Sequence, residues 1–131
     1  MPRVSSPLIA SIILAGGVLA ASAALAEALT SQQRNAVRSA ELYLSMSGFS
    51  RAGLIEQLSS PYGEGYARAD ATAAVDSMDV DWNTQAVRSA RQYIEMTGFS
   101  CQGLVEQLSS DFGERFTPSQ ARHGATQVGA C

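Results

Sequence analysis

The 131-residue sequence contains no lysine, one histidine and two cysteines, and these scarcities exclude several kinds of site. Its nine basic residues face twelve acidic ones, which gives a formal net charge of −3. Binding to a phosphate backbone requires clustered positive charge, so no nucleic-acid partner is expected. Two cysteines and one histidine do not match a zinc spacing, and a Ser-His-Asp triad would depend on His123 alone. Without a glycine-rich phosphate loop either, the sequence predicts no catalytic residue, metal or cofactor, and no enzyme.

The N-terminal segment is a long apolar run. Residues 7–26 read PLIASIILAGGVLAASAALA, follow Arg3, and end in two small-x-small sites just before Glu27. This pattern predicts a secretory signal peptide over residues 1–26, cleaved after Ala26. The alternative is an uncleaved signal anchor, because about 20 apolar residues can also span a bilayer. We therefore expect a secreted, periplasmic or cell-envelope protein that contacts membrane only if the signal is uncleaved. Cleavage would leave eight arginines against twelve acidic residues, a net charge of −4.

The rest of the chain contains one pattern twice, 50 residues apart. Residues 36–64 read AVRSAELYLSMSGFSRAGLIEQLSSPYGE, and residues 86–114 read AVRSARQYIEMTGFSCQGLVEQLSSDFGE. A repeat of fixed period indicates two copies of one structural unit. Apolar residues recur at helical spacing three times in each copy. The sequence therefore predicts an all-α fold with two tandem three-helix units, over residues 31–79 and 83–131.

A Gly-Phe-Ser turn joins the first and second helices of each unit. The glycine occupies the place of a left-handed residue that ends a helix. The serine can cap the next helix, and the phenylalanine has the spacing of a hydrophobic staple with the leucine five residues on. These features predict a structural turn. Its residues are Gly48, Phe49, Ser50, Gly98, Phe99 and Ser100.

A capping residue is expected at the start of each unit, and the tryptophan lies between the two units. Thr30 and Gln33 have the spacing of a capping box, and Asn83 or Thr84 is expected to cap the corresponding helix of the second unit. Trp82 is the only tryptophan and lies in the linker between the units. We expect it to pack between them, with partner binding as the alternative.

The two cysteines lie where the copies differ. Cys101 aligns with Arg51, and Cys131 aligns with Asp81. The second and third helices of a unit run roughly antiparallel, so these positions are expected to meet at one corner. The first unit would form an ion pair there, worth about 0–1 kcal/mol if exposed. The second would form a disulfide, worth about 2–4 kcal/mol, with an intermolecular disulfide as the alternative.

Each second helix also carries a Glu-Gln pair. A polar, solvent-facing side of the helix explains the pair, and a surface for partner contact is the alternative. The residues are Glu56, Gln57, Glu106 and Gln107.

The repeated AVRSA…GFS…GLIEQL pattern and the VDWN junction resemble the tandem repeat of the Ltp family, the host cell surface-exposed lipoproteins. The resemblance implies a compact helical repeat with a helix-turn-helix-like shape that does not bind DNA. Some phage-encoded members are superinfection-exclusion proteins outside the cytoplasmic membrane, which obstruct DNA injection by contacting the injection machinery. We therefore expect an extracytoplasmic module that binds a protein partner, and a monomer. The alternative is a structural or wall-associated protein of the cell envelope without a phage role.

Two details bear on that resemblance. The lipoprotein members carry a lipid-attachment cysteine just after the apolar run, where this chain has only alanine and serine, so no lipid anchor is expected.

A DNA-binding regulator would need a basic second helix. Arg51 is the only basic residue on the two second helices, which argues against that class.

Overall fold

A computed structural model describes residues 28–131, and these residues form six helices in two consecutive bundles without any strand. Helices α1–α3 form repeat 1, and α4–α6 form repeat 2. The predicted signal peptide, residues 1–26, lies outside the described residues. None of the six helices is both long and apolar enough to cross a membrane. The helices are α1 (Ser31–Met46), α2 (Arg51–Ser59), α3 (Arg68–Ser77), α4 (Trp82–Met96), α5 (Cys101–Ser109) and α6 (Pro118–Gln127).

Side-chain caps fix where the first helix of each repeat begins. Thr30 and Gln33 form the capping box that the sequence predicts, each side chain bonding the other's backbone N–H. For α4 the prediction of Asn83 or Thr84 is wrong. The helix begins earlier, at Trp82, and the carboxylate of Asp81 accepts from the N–H of Thr84. Hydrogen bonds from Thr84 hold the pKa of Asp81 below its usual value.

Each repeat has its own small core, built where the third helix packs on the first. Small side chains let the helices approach closely: a Cβ on Gly124 of α6 would lie 2.7 Å from the carbonyl oxygen of Ala86 on α4. The residues buried in the core of repeat 1 are Ala40, Leu54, Ile55, Leu58, Ala71 and Val75. Those of repeat 2 are Ala86, Ala90, Leu104, Leu108, Phe116, Ala121 and Ala125.

The start of the second helix is joined to the end of the third helix by a different bond in each repeat. Cys101 and Cys131 form the predicted disulfide, with their Cα atoms 4.7 Å apart. In repeat 1 the predicted partner of Arg51 is wrong. The guanidinium pairs with Asp76, with Nε 2.7 Å from Oδ1, because α3 ends at Ser77 and its last turn lies beside the start of α2. This ion pair lowers the pKa of Asp76.

The prediction of left-handed glycines in the Gly-Phe-Ser turns is wrong as well. Gly48 and Gly98 do not adopt a left-handed conformation. Among the described residues positive φ angles occur at Gly65, Gly129 and Arg115. The helices α1 and α4 instead end in extended C-cap residues, which lead the chain out without a left-handed step.

The serines and phenylalanines of the turns orient the second helices. Ser50 Oγ accepts from the N–H of Gly53 at 2.9 Å, and the same bond recurs at Ser100. Phe49 packs on the core of repeat 1 and meets Tyr43 edge to face, with ring centroids 5.7 Å apart. Local hydrogen bonding and core packing together fix the angle between helices in each repeat.

Candidate functional site

The two repeats are joined by contact between the turn of repeat 1 and helix α4. Gly48 is buried there, and a Cβ on it would lie 2.6 Å from the carbonyl oxygen of Gln85 and 2.7 Å from the backbone nitrogen of Ser89. The hydroxyl of Ser89 donates to the carbonyl oxygen of Gly48 at 3.0 Å, in a buried bond. The contact therefore brings two backbones together at a distance that any side chain would prevent.

Polar bonds from α4 extend this junction along α1. The guanidinium of Arg88 donates to the carbonyl oxygen of Leu44 at 2.6 Å. Ser47 Oγ donates to Gln92 Oε1 at 3.0 Å. Trp82 is half-buried and packs against the core of repeat 1, so it lies at the junction between the repeats. The two bundles thus have a defined contact in addition to the linker.

Beside this junction, the loops that follow α2 and α5 border a cleft of about 480 Å³, which we call the aromatic cleft. Tyr62 and Phe112 occupy equivalent positions in the two loops, and their side chains are fully exposed, at 100% and 103%. Both repeats contribute to the lining: Phe49, Gly53, Glu56, Gln57, Ser60, Tyr62, Gly63, Asp111, Phe112, Gly113, Glu114 and Arg115.

The loops that carry the two aromatic residues are held rigidly. In repeat 1, Ser60 accepts three hydrogen bonds: its Oγ from the N–H of Tyr62 at 3.1 Å, and its carbonyl oxygen from the N–H groups of Gly63 at 2.9 Å and Gly65 at 3.1 Å. Repeat 2 has the same bonds. A Cβ on Gly63 or Gly113 would lie 2.0 or 2.1 Å from a carbonyl oxygen of the preceding helix. Each loop is therefore packed directly on the end of its helix.

A hydrogen-bonded tyrosine supports each loop from inside. In repeat 2, Gln107 Nε2 donates to the hydroxyl of Tyr93 at 3.1 Å, and that hydroxyl donates to Glu114 Oε1 at 2.6 Å. Burial, followed by the neighbouring Glu114, raises the pKa of Tyr93 to about 12. Repeat 1 has the same chain through Gln57, Tyr43 and Glu64. Gln57 and Gln107, which the sequence analysis named as alternative partner contacts, each bond to a tyrosine of their own repeat.

The matching glutamates have unequal surroundings. Glu56 accepts from Arg68 at 3.3 Å and lies 3.6 Å from the guanidinium of Arg115, which reaches across the cleft from repeat 2. Arg115 holds a positive φ of 61°, where repeat 1 has Gly65, and its Nε donates to the carbonyl oxygen of Asp111 at 2.8 Å. Glu106 accepts from Gln102 on its own helix. Of the pair, Glu56 is the residue that connects the two repeats.

Sequence reasoning missed Tyr62, Phe112 and Arg115. A signal was present, because Tyr-Gly-Glu and Phe-Gly-Glu place an aromatic residue beside a glycine at the same position of both copies. An aromatic residue in a loop is equally compatible with closing a core, as Phe116 does. Only the fold separates the buried aromatic residue from the exposed one.

The cleft presents exposed rings, carboxylates and one guanidinium, which suit recognition of another molecule. Over residues 28–131 no cluster of three His, Cys, Asp or Glu residues is arranged to hold a metal ion.

Comparisons with known proteins agree with this architecture. The family described as host cell surface-exposed lipoprotein matches residues 31–78 and 81–128, one match in each repeat. Among solved structures, the chain is similar to Ltp, a superinfection exclusion protein from the Streptococcus thermophilus temperate phage TP-J34. The identity is 28% and the TM-score 0.67, over 75% of this chain and 96% of that one. No curated protein matches the chain.

Proposed function

This chain belongs to the host cell surface-exposed lipoprotein (Ltp) family, and on that basis we propose that it acts outside the cytoplasm to exclude superinfecting phages, by binding a protein of the incoming injection machinery. The observation that carries the proposal is the similarity to a superinfection exclusion protein over 96% of that protein's chain. Both repeats of this chain match the family, and the junction and the aromatic cleft are formed between these two repeats.

The aromatic cleft is the binding site in this proposal. Aromatic residues are enriched at the centres of protein interfaces, where a few buried rings supply most of the affinity. Tyr62 and Phe112 are fully exposed and point out from two neighbouring loops. Since Gly63 and Gly113 pack these loops on their helices, binding would require little further ordering of the chain.

The experiment is a phage challenge of cells that produce the full chain. We expect lower plating efficiency and less phage DNA inside the cell soon after adsorption, with adsorption itself unchanged. The double variant Tyr62→Ser with Phe112→Ser should restore plating, because it removes both rings without touching either core. Met46→Ser is the matched control, since Met46 is also an exposed apolar residue, at 59%, and lies outside the cleft.

The two parts of the proposal fail separately. Unchanged plating across a panel of phages would contradict the exclusion role and favour an envelope protein without a phage role. Exclusion that persists in the double variant would contradict the aromatic cleft as the binding site. Exclusion at the adsorption step would contradict a target in the injection machinery.

A further inference from the structure

The junction between the repeats is directional, because each repeat contributes a different surface to it. Repeat 1 contributes what we call the turn face, and repeat 2 what we call the helix face. Since the repeats share one pattern at an offset of 50 residues, each of them contains both faces. The turn faces are Leu44, Ser47, Gly48 and Ser50 in repeat 1, and Ile94, Thr97, Gly98 and Ser100 in repeat 2. The helix faces are Asn35, Arg38, Ser39 and Leu42 in repeat 1, and Gln85, Arg88, Ser89 and Gln92 in repeat 2.

Within the part of the chain that the structure describes, no segment covers the turn face of repeat 2. Gly98 has no atom within 4 Å of where its Cβ would be, whereas the backbone of α4 occupies that space at Gly48. Ser100 is exposed, whereas Ser50 is 1% exposed beneath repeat 2. Gly98 also lacks a positive φ, so no conformational requirement for glycine exists at this position. The physical use for a missing side chain here is the close approach of another backbone, as at Gly48.

Nothing in residues 28–131 covers the helix face of repeat 1 either, since Asn35, Arg38 and Leu42 are exposed, and this face has the arrangement that the junction uses. Arg38 donates to Asn35 Oδ1 at 2.8 Å, just as Arg88 donates to Gln85 Oε1 at 2.9 Å while binding a carbonyl of repeat 1. Arg38 is therefore held ready to donate to a carbonyl of the same kind.

Ser39 corresponds to Ser89 and can make the same bond. Its Oγ lies 3.2 Å from the hydroxyl of Tyr66. With Tyr66 as the donor, the Ser39 hydroxyl keeps its own proton for a carbonyl acceptor, because a hydroxyl both donates and accepts. The equivalent donor in the junction is Ser89, which bonds the carbonyl of Gly48.

The two uncovered faces, the turn face of repeat 2 and the helix face of repeat 1, differ from the faces of the junction at one pair of matching positions, and this difference supports contact between them. In the junction, Ser47 donates to Gln92, which is a polar pair. At the equivalent positions the open faces carry Thr97 and Leu42, so both members of the pair present methyl groups. Leu42 is 60% exposed in the single chain, and covering such a side chain is favourable by about 25 cal/mol per Å² of apolar surface.

We propose that chains associate head to tail, with the helix face of repeat 1 in one copy docking on the turn face of repeat 2 in another, so that the junction inside the chain is repeated between chains. The sequence alone led to the expectation of a monomer. The contact joins two different faces and leaves one of each open, so it adds copies in a row without closing by itself. Glu106 would face Gly65 there, and the ion pair of Glu56 with Arg115 would have no counterpart. The contact is therefore weaker than the junction, and association depends on concentration.

The test is sedimentation velocity of the purified chain over a series from micromolar to millimolar concentration. We expect the weight-average mass of the wild type to rise past that of two chains. Gly98→Arg blocks the turn face where space is open, and Leu42→Arg with Arg38→Glu blocks the helix face. Each variant should remain monomeric. Thermal unfolding at low concentration checks that both retain the fold, and Met46→Ser, outside the two faces, should associate like the wild type.

Mixing the two blocked variants gives the decisive result. Each retains the face that the other lacks, so an equimolar mixture should form one-to-one dimers and nothing larger. A wild-type chain that stays monomeric throughout would overturn the proposal. Association that persists in either variant alone would overturn it as well, because it would proceed through other surfaces.

Discussion

Gly48→Ala and Gly98→Ala make the same chemical change at equivalent positions of the two repeats. We expect the first to lower the stability of the chain much more than the second. At Gly48 the new Cβ would lie 2.6 and 2.7 Å from two backbone atoms of α4, the carbonyl oxygen of Gln85 and the nitrogen of Ser89, which cannot move aside as a flexible side chain does. At Gly98 nothing lies within 4 Å. The first substitution should separate the repeats, and the second should leave the fold intact.

The magnitude follows from the contacts that Gly48 makes. Forcing extra volume into a packed contact costs about 1–3 kcal/mol. Separating the backbones also breaks the buried bond from Ser89 to the carbonyl of Gly48, which is worth about 0.5–1.5 kcal/mol. The loss of freedom in the unfolded chain on going from glycine to alanine is about 0.4–1 kcal/mol in both variants and cancels in the comparison. We therefore expect the free energies of unfolding of the two variants to differ by about 1.5–4.5 kcal/mol.

Urea unfolding followed by tryptophan fluorescence suits this measurement. Trp82 is the only tryptophan in the chain and packs on the core of repeat 1 from the start of α4, so its emission reports on the junction. The experiment is done at low concentration, where the chain is a single copy. Equal midpoints for the two variants would refute the close approach at Gly48. A larger loss at Gly98 would mean that the open and covered faces have been assigned the wrong way round.

Two further predictions concern the contact between the second and third helices of each repeat and the half-buried hydroxyl of Tyr93. Reducing the disulfide of Cys101 and Cys131, which lie 30 residues apart, should lower the free energy of unfolding by about 3–4 kcal/mol from chain entropy. Arg51→Ala should lower it by at most about 1 kcal/mol, because Arg51 and Asp76 are about half exposed. Thermal melts with and without reductant compare the two losses, and equal losses would contradict the larger contribution of the disulfide. The pKa of Tyr93 is about 12 in the folded chain and about 10 in the unfolded chain, so its contribution to the free energy of unfolding should be constant below pH 10 and fall between pH 10 and 12. Tyr93→Phe should make the plot of stability against pH flatter over that range. An unchanged slope in this variant would refute the raised pKa of Tyr93.

Much of the helical framework could be predicted from residues close together in sequence. Capping residues and apolar spacing are local signals, which is why three helices in each repeat and the capping box of Thr30 and Gln33 could be predicted. The disulfide could be predicted too, because the repeat supplied an alignment that placed Cys101 and Cys131 at one corner. Local chemistry and internal symmetry were sufficient for these features.

The predictions that were wrong concerned residues whose roles depend on neighbours that are distant in sequence. A glycine at the end of a helix is compatible with a left-handed residue and with a close approach, and only the position of α4 shows that Gly48 has the second role. The partner of Arg51 depended on the end of α3, one turn before Asp81. The exposure of Tyr62 follows from how its loop packs on α2, which no local pattern reveals.

The Cys101–Cys131 bond has a consequence when the chain is pulled from both ends. The 30 residues of that loop cannot be stretched out, because the load passes through the sulfur atoms. Repeat 2 can therefore lengthen only through α4 and its turn, whereas repeat 1 can extend fully, by about 3.3–3.6 Å per residue. Arg51 and Asp76 offer only a surface ion pair against such a force. Under mechanical load repeat 1 is expected to give way first, leaving a short, covalently closed remnant of repeat 2.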